Sequence, residues 1–133
     1  MGAWGVKPFE NDDAADFVAE FEQHGVVAIS RALDAGCGTG GYIEAPDGSV
    51  AVAAAAIVAT AGGMSGFLSE SAETALRSVS SWQALTGLKA KAIKAVECIG
   101  GQNSELMELW NDAEPADAAG FKSELRRLRE ALR

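Results

Sequence analysis

Between Ser49 and Ser69 the chain carries no charged residue, and its run Val50 to Ala61 is almost entirely Ala, Val and Ile. A helix built from such a run is apolar on every side, so it must cross a membrane or lie in the middle of a folded domain. These twelve residues rise only about 18 Å as a helix, short of the roughly 30 Å hydrocarbon core. Gly62-Gly63 ends the run, and its flanking charges are Asp47 and Glu70, with no Lys or Arg beside it to set an orientation in a bilayer. The sequence therefore predicts a buried helix from about Gly48 to Ala61, capped by Asp47, whose small faces let neighbouring helices approach closely.

Helical periodicity accounts for most of the remaining chain. Asn11 is placed as an N-cap with Asp12 and Asp13 in the first turn, where carboxylates favour the positive end of the helix dipole. From there Ala14, Phe17, Val18, Phe21, Gly25, Ala28, Ile29 and Ala32 form one apolar stripe, predicting a single amphipathic helix to about Leu33. Phe9 is positioned to fold back on its first turn. Ala35 to Gly41 is glycine-rich and reads as a loop. Further helices are predicted from about Ser71 to Trp82, through Leu88, Ala92, Ala95, Val96 and Ile99 to a stop at Gly100-Gly101, and from a Ser104 cap through Trp110. A last helix opens at Pro115 and lines up Phe121, Leu125, Leu128 and Leu132. No segment alternates with period two, so the expected fold is all-α: one domain over residues 1–133, with about six helices around the Ala/Val-rich central one.

The charge is strongly asymmetric. The chain has 11 Lys and Arg against 19 Asp and Glu, a net −8, and residues 1–70 carry all of it, with ten acids against Lys7 and Arg31. A chain this acidic lacks the basic footprint that phosphate attraction requires, which argues against a nucleic-acid partner. Either the acidic front meets a basic protein partner, or it packs against a basic tail within the same fold, the stripe Lys122, Arg126, Arg129 and Arg133 being the natural candidate. The two cysteines, Cys37 and Cys98, lie in no metal-binding spacing, and the simplest expectation is free thiols in a reducing cytoplasm. The start of the chain has no basic and apolar regions of a signal peptide.

Few residues offer chemistry. Asp13, Asp16, Glu20 and His24 fall at spacings of three and four on one helix face. Facing acids could make such a set a metal site, but the apolar stripe points these residues to water. Glu44, in the loop entering the buried helix, reads as a structural anchor or as part of a cleft. Gly36 to Gly41 lacks the Gly-Lys-Ser/Thr and the preceding strand of a phosphate-binding loop, and no serine or cysteine sits in a nucleophile arrangement.

The opening Met1-Gly2-Ala3-Trp4-Gly5, with Pro8-Phe9 and Asn11-Asp12-Asp13-Ala14-Ala15-Asp16-Phe17, resembles the bacterial family called domain of unknown function 4259. Gly41-Tyr42-Ile43-Glu44-Ala45, Ser104-Glu105-Leu106 and Leu109-Trp110 extend the likeness along the chain. The resemblance implies a small, mostly helical bacterial protein and carries no activity. It also singles out Trp4, Asn11, Asp12, Asp16, Glu44, Glu105 and Trp110, which would converge either as a structural knot that caps helices around the N-terminus or as an acidic pocket walled by Trp.

Two functional expectations follow. The first is a non-catalytic cytoplasmic interaction domain of inhibitor or immunity type, with no cofactor, whose acidic front, including Asp13, Asp16, Glu20 and His24, binds a basic protein and neither nucleic acid nor membrane. The alternative is a small-ligand or divalent-metal-binding domain, even a hydrolase, using Asp12, Asp16, Glu44 and Glu105.

Overall fold

A computed structural model describes residues 3–37, 41–80 and 82–133. Within them the chain forms α1 (Asp12–His24), α2 (Val26–Ala35), α3 (Ala45–Ala61), α4 (Glu70–Arg77), α5 (Trp82–Thr86), α6 (Lys89–Ile99), α7 (Glu105–Asn111) and α8 (Pro115–Ala131). No strand is present among the described residues, only the isolated bridges Ala3 to Asn11 and Ile43 to Ser104. The all-α expectation holds.

α3 is the axis of the fold. Residues 51–59 are all buried, and α1, α2 and α4 to α8 all pack around it. Its alanines permit close approach, most tightly at Gly36, where a Cβ would stand 2.5 Å from the Ala51 Cβ and 3.5 Å from that of Ala95. Glycine is thus what lets the end of α2 settle into the crease between α3 and α6. No helix among the described residues is long and apolar enough to cross a membrane.

Eight helices among the described residues replace the expected six, because one continuous prediction divides and a short helix, α5, forms where none was expected past Trp82. The stripe from Ala14 to Ala32 is divided at Gly25, whose φ of 59° and ψ of −132° separate α1 from α2. Both pieces still bury the predicted residues, so the periodicity survived a corner that side-chain pattern does not report. The predicted helix from Ser71 to Trp82 likewise ends at Arg77. There the Ser78 hydroxyl donates to the Ala75 carbonyl at 2.7 Å, and Trp82 Nε1 returns to the Leu76 carbonyl at 3.2 Å. Local hydroxyl bonds compete with the helix at such serine-rich stretches.

The entry to α3 also differs from expectation. The helix begins at Ala45, three residues before Gly48, so Asp47 lies inside its first turn instead of capping it. At the other predicted termini, Asn11 Oδ1 accepts from Ala14 N at 2.8 Å and Ser104 Oγ from Met107 N at 3.2 Å, as their spacing predicts.

Cys37 and Cys98 are joined in a disulfide with Cα atoms 5.6 Å apart, which overturns the free-thiol expectation. The ends of α2 and α6 converge on α3, and this convergence brings together two cysteines that are 61 residues apart in sequence.

Candidate functional site

The N-terminal arm, residues 3–11, folds back on itself. Ala3 bridges to Asn11, Trp4 N donates to the Glu10 carbonyl at 2.9 Å, and Lys7 N donates to Glu10 Oε1 at 3.2 Å. Phe9 is buried in the core and fixes the arm's approach to α1. Beneath the arm is a cleft of about 200 Å³ lined by Ala3, Gly5, Asn11, the start of α3 at Ala45 and Pro46, and Trp110 of α7. Trp110 stacks on Phe121 with ring centroids 5.4 Å apart. Lys7, Asp13 and Ser49 add the cleft's other polar groups.

The family-derived set converges only in part. Asn11 and Trp110 line this cleft, and Glu105 adjoins it through a 2.7 Å bond from Ala45 N to Glu105 Oε1. Glu105 therefore supplies, from a distant helix, the capping acceptor expected of Asp47; the Glu44 side chain, expected as an anchor or part of a cleft, makes no capping bond and is exposed. Asp12 and Asp16 belong to the open face of α1 and are exposed. Trp4 is 63% exposed, so it does not share Trp110's burial and the knot of two tryptophans does not form.

Asp13, Asp16, Glu20 and His24 are all exposed along α1, as the inward-facing stripe predicts. None of them forms an ion pair among the described residues. The basic tail does not cover this face. Arg129 pairs with Glu97 of α6 at 2.9 Å. Arg127 pairs with Glu124, donates to the Gly66 carbonyl at 3.2 Å and lies 4.1 Å above the Phe67 ring. The one described ion pair that joins the two halves of the chain runs from Lys91 to Asp34 at 2.9 Å. Among the described residues no basic side chain of α8 pairs with a front-half acid, although Arg127 does rest on Gly66 and Phe67 of that half.

Sequence reading missed the junction between the α3 entry and α7. Ile43 N donates to the Asn103 carbonyl at 2.8 Å and Glu105 N to the Ile43 carbonyl at 2.9 Å, placing Tyr42 beside α7. Its hydroxyl donates to the Glu108 carboxylate at 2.9 Å. Loss of solvation, then the Glu108 carboxylate, with smaller contributions from Glu105 and Glu44, pushes the Tyr42 hydroxyl from 10.0 up to about 12. Short-range periodicity carries no signal for this pairing across 66 residues.

The model of the family described as Domain of unknown function (DUF4259) matches residues 2–123. The chain belongs to this family. Its match spans the N-terminal arm, the acidic α1 face and the Tyr42–Glu108 junction, and ends within α8. No curated protein matches the chain, and no solved structure matches it.

Proposed function

We propose that this member of the family is a non-catalytic interaction domain of inhibitor or immunity type, which binds a basic protein through the exposed acidic face of α1. The observation that carries this reading is the exposure of Asp12, Asp13, Asp16, Glu20 and Glu22 on one helix, with no ion pair among the described residues to neutralise them. Unpaired like charges on one face raise the local concentration of a basic partner and speed its encounter. Trp4, exposed beside the cleft that Asp13 lines, offers the aromatic anchor that interfaces favour.

The metal-binding or hydrolase alternative draws no support from the geometry. Glu105 is engaged by Ala45 N, and no three His, Cys, Asp or Glu side chains among the described residues are grouped to share a metal ion. The expected cytoplasmic setting fits poorly with the Cys37–Cys98 bond, because cytosolic reductants keep thiols unpaired; an oxidising compartment suits the chain better.

The test is capture of partners from native lysate by the wild-type protein and by the Asp16→Lys/Glu20→Lys variant, at low and high salt. A stoichiometric basic partner should be retained at low salt, released as salt rises, and lost by the variant at unchanged melting temperature. A partner that the variant holds equally well, or no stoichiometric partner, would reject the reading.

A further inference from the structure

The acidic face leaves unexplained a second, oppositely charged feature on the far half of the chain. Lys122, Arg126 and Arg129 of α8, at spacings of four and three, all line one cleft of about 410 Å³ between α6, α7 and α8. Val96, Met107 and Leu125 supply its apolar lining, and Glu97 is its one acid. The volume lies within the roughly 300–1,000 Å³ range of small-molecule sites, and an apolar cleft with a few convergent polar groups is their usual chemistry.

Two details show that the cations are not consumed by the fold. Glu97 takes one Arg129 terminal nitrogen at 2.9 Å, yet the Arg129 side chain stays 42% exposed. Lys122 and Arg126 form no ion pair among the described residues and are exposed. Three cations against one carboxylate leave a local surplus of two positive charges on a chain of net −8. Exposed cations beside an apolar wall, with so little carboxylate to answer them, attract an anionic head group.

We infer that this cleft binds a small organic anion, with a carboxylate or phosphate head held by Lys122, Arg126 and Arg129 and an apolar body laid along Val96, Met107 and Leu125. Arg126 and Arg129 lie beyond the residues matched by the family model, so the site is assigned to this chain and not to the family. It is separate from the acidic α1 face, and the two readings stand or fall independently.

Calorimetric titration of the whole protein with octanoate and with phenyl phosphate tests the inference, with methyl octanoate and inorganic phosphate as comparators. At least one of the two amphipathic anions should bind saturably at one site, at least tenfold more tightly than its comparator. The Lys122→Gln/Arg126→Gln variant should weaken that binding at least tenfold. Both side chains are exposed, so the melting temperature should hold; if the double variant does not fold, Arg126→Gln alone should weaken binding at least threefold. Amide shifts on titration should centre on Val96, Gly100 and Met107. Any one of four results overturns the inference: neither anion saturates, the comparators bind equally well, the variant binds undiminished, or the shifts fall elsewhere.

Discussion

Gly25 is the point at which the chain departs from its own helical pattern, and replacing it tests that departure directly. At φ 59° and ψ −132° an L-residue is strained whatever room it has, and a Cβ built there meets nothing within 4 Å. The penalty is therefore conformational and not steric. Holding a non-glycine residue in such a sparsely populated region costs about 1–3 kcal/mol. Restricting the unfolded chain returns about 0.4–1 kcal/mol of that. Gly25→Ala should lose about 1–2 kcal/mol, which for a domain of this size lowers the melting temperature by roughly 3–10 °C. Gly120→Ala is the natural comparison, because Gly120 lies inside α8 with Val6 at an ordinary 3.5 Å from the added methyl. That substitution should stabilise by up to about 1 kcal/mol. Urea unfolding followed by circular dichroism, with equal slopes, gives both values. If Gly25→Ala matched or exceeded the wild type, α1 and α2 would be one helix, as the apolar stripe alone suggests, and the corner would be refuted.

Two further outcomes test the junction between α3 and α7. Glu105→Ala removes the acceptor of Ala45 N and should cost about 1–2 kcal/mol, as charge-assisted bonds to partly buried donors do, whereas Glu44→Ala should stay within about 0.5 kcal/mol in the same unfolding assay; equal effects would contradict the assigned cap. Tyr42 is the sole tyrosine, so tyrosinate absorbance reports it alone and should titrate near pH 12 instead of 10.0. A hydroxyl whose pKa is raised by folding stabilises the native state fully below the unfolded value and loses that contribution as pH climbs through the folded one. Stability attributable to Tyr42 should thus be constant below about pH 10 and fall towards pH 12, and Glu108→Gln should bring the titration midpoint back towards the ordinary value.

Legibility followed the range of the interaction. The buried helix was plain because Val50 to Ala61 has no polar side for water to contact, and Asn11 and Ser104 were plain because a cap and its N–H lie within one turn. Gly25 was misread because the apolar positions on both sides remain in phase across it; the break resides in backbone angles that composition does not encode. In the candidate site, the exposure of Asp13, Asp16, Glu20 and His24 followed from the stripe opposite them. The role of Glu105 did not, since its partner Ala45 is 60 residues away and is selected by tertiary packing. The cysteine pair was invisible for the same reason: nothing local distinguishes a thiol that will meet another from one that will not.

The bond between Cys37 and Cys98 also makes the molecule a covalent ring with two tails. Residues 37–98 close on themselves and enclose α3, α4, α5 and most of α6, while α1 and α2 lead in and α7 and α8 lead out. A protease cut at the Gly62 to Gly66 connection would therefore leave a single molecule, its fragments parting only on reduction and unfolding. The acidic face belongs wholly to the entering tail, whereas the cationic cleft spans ring and exiting tail. Fraying of the last helix would dismantle the cleft and leave the acidic face in place, so the two surfaces need not share a lifetime.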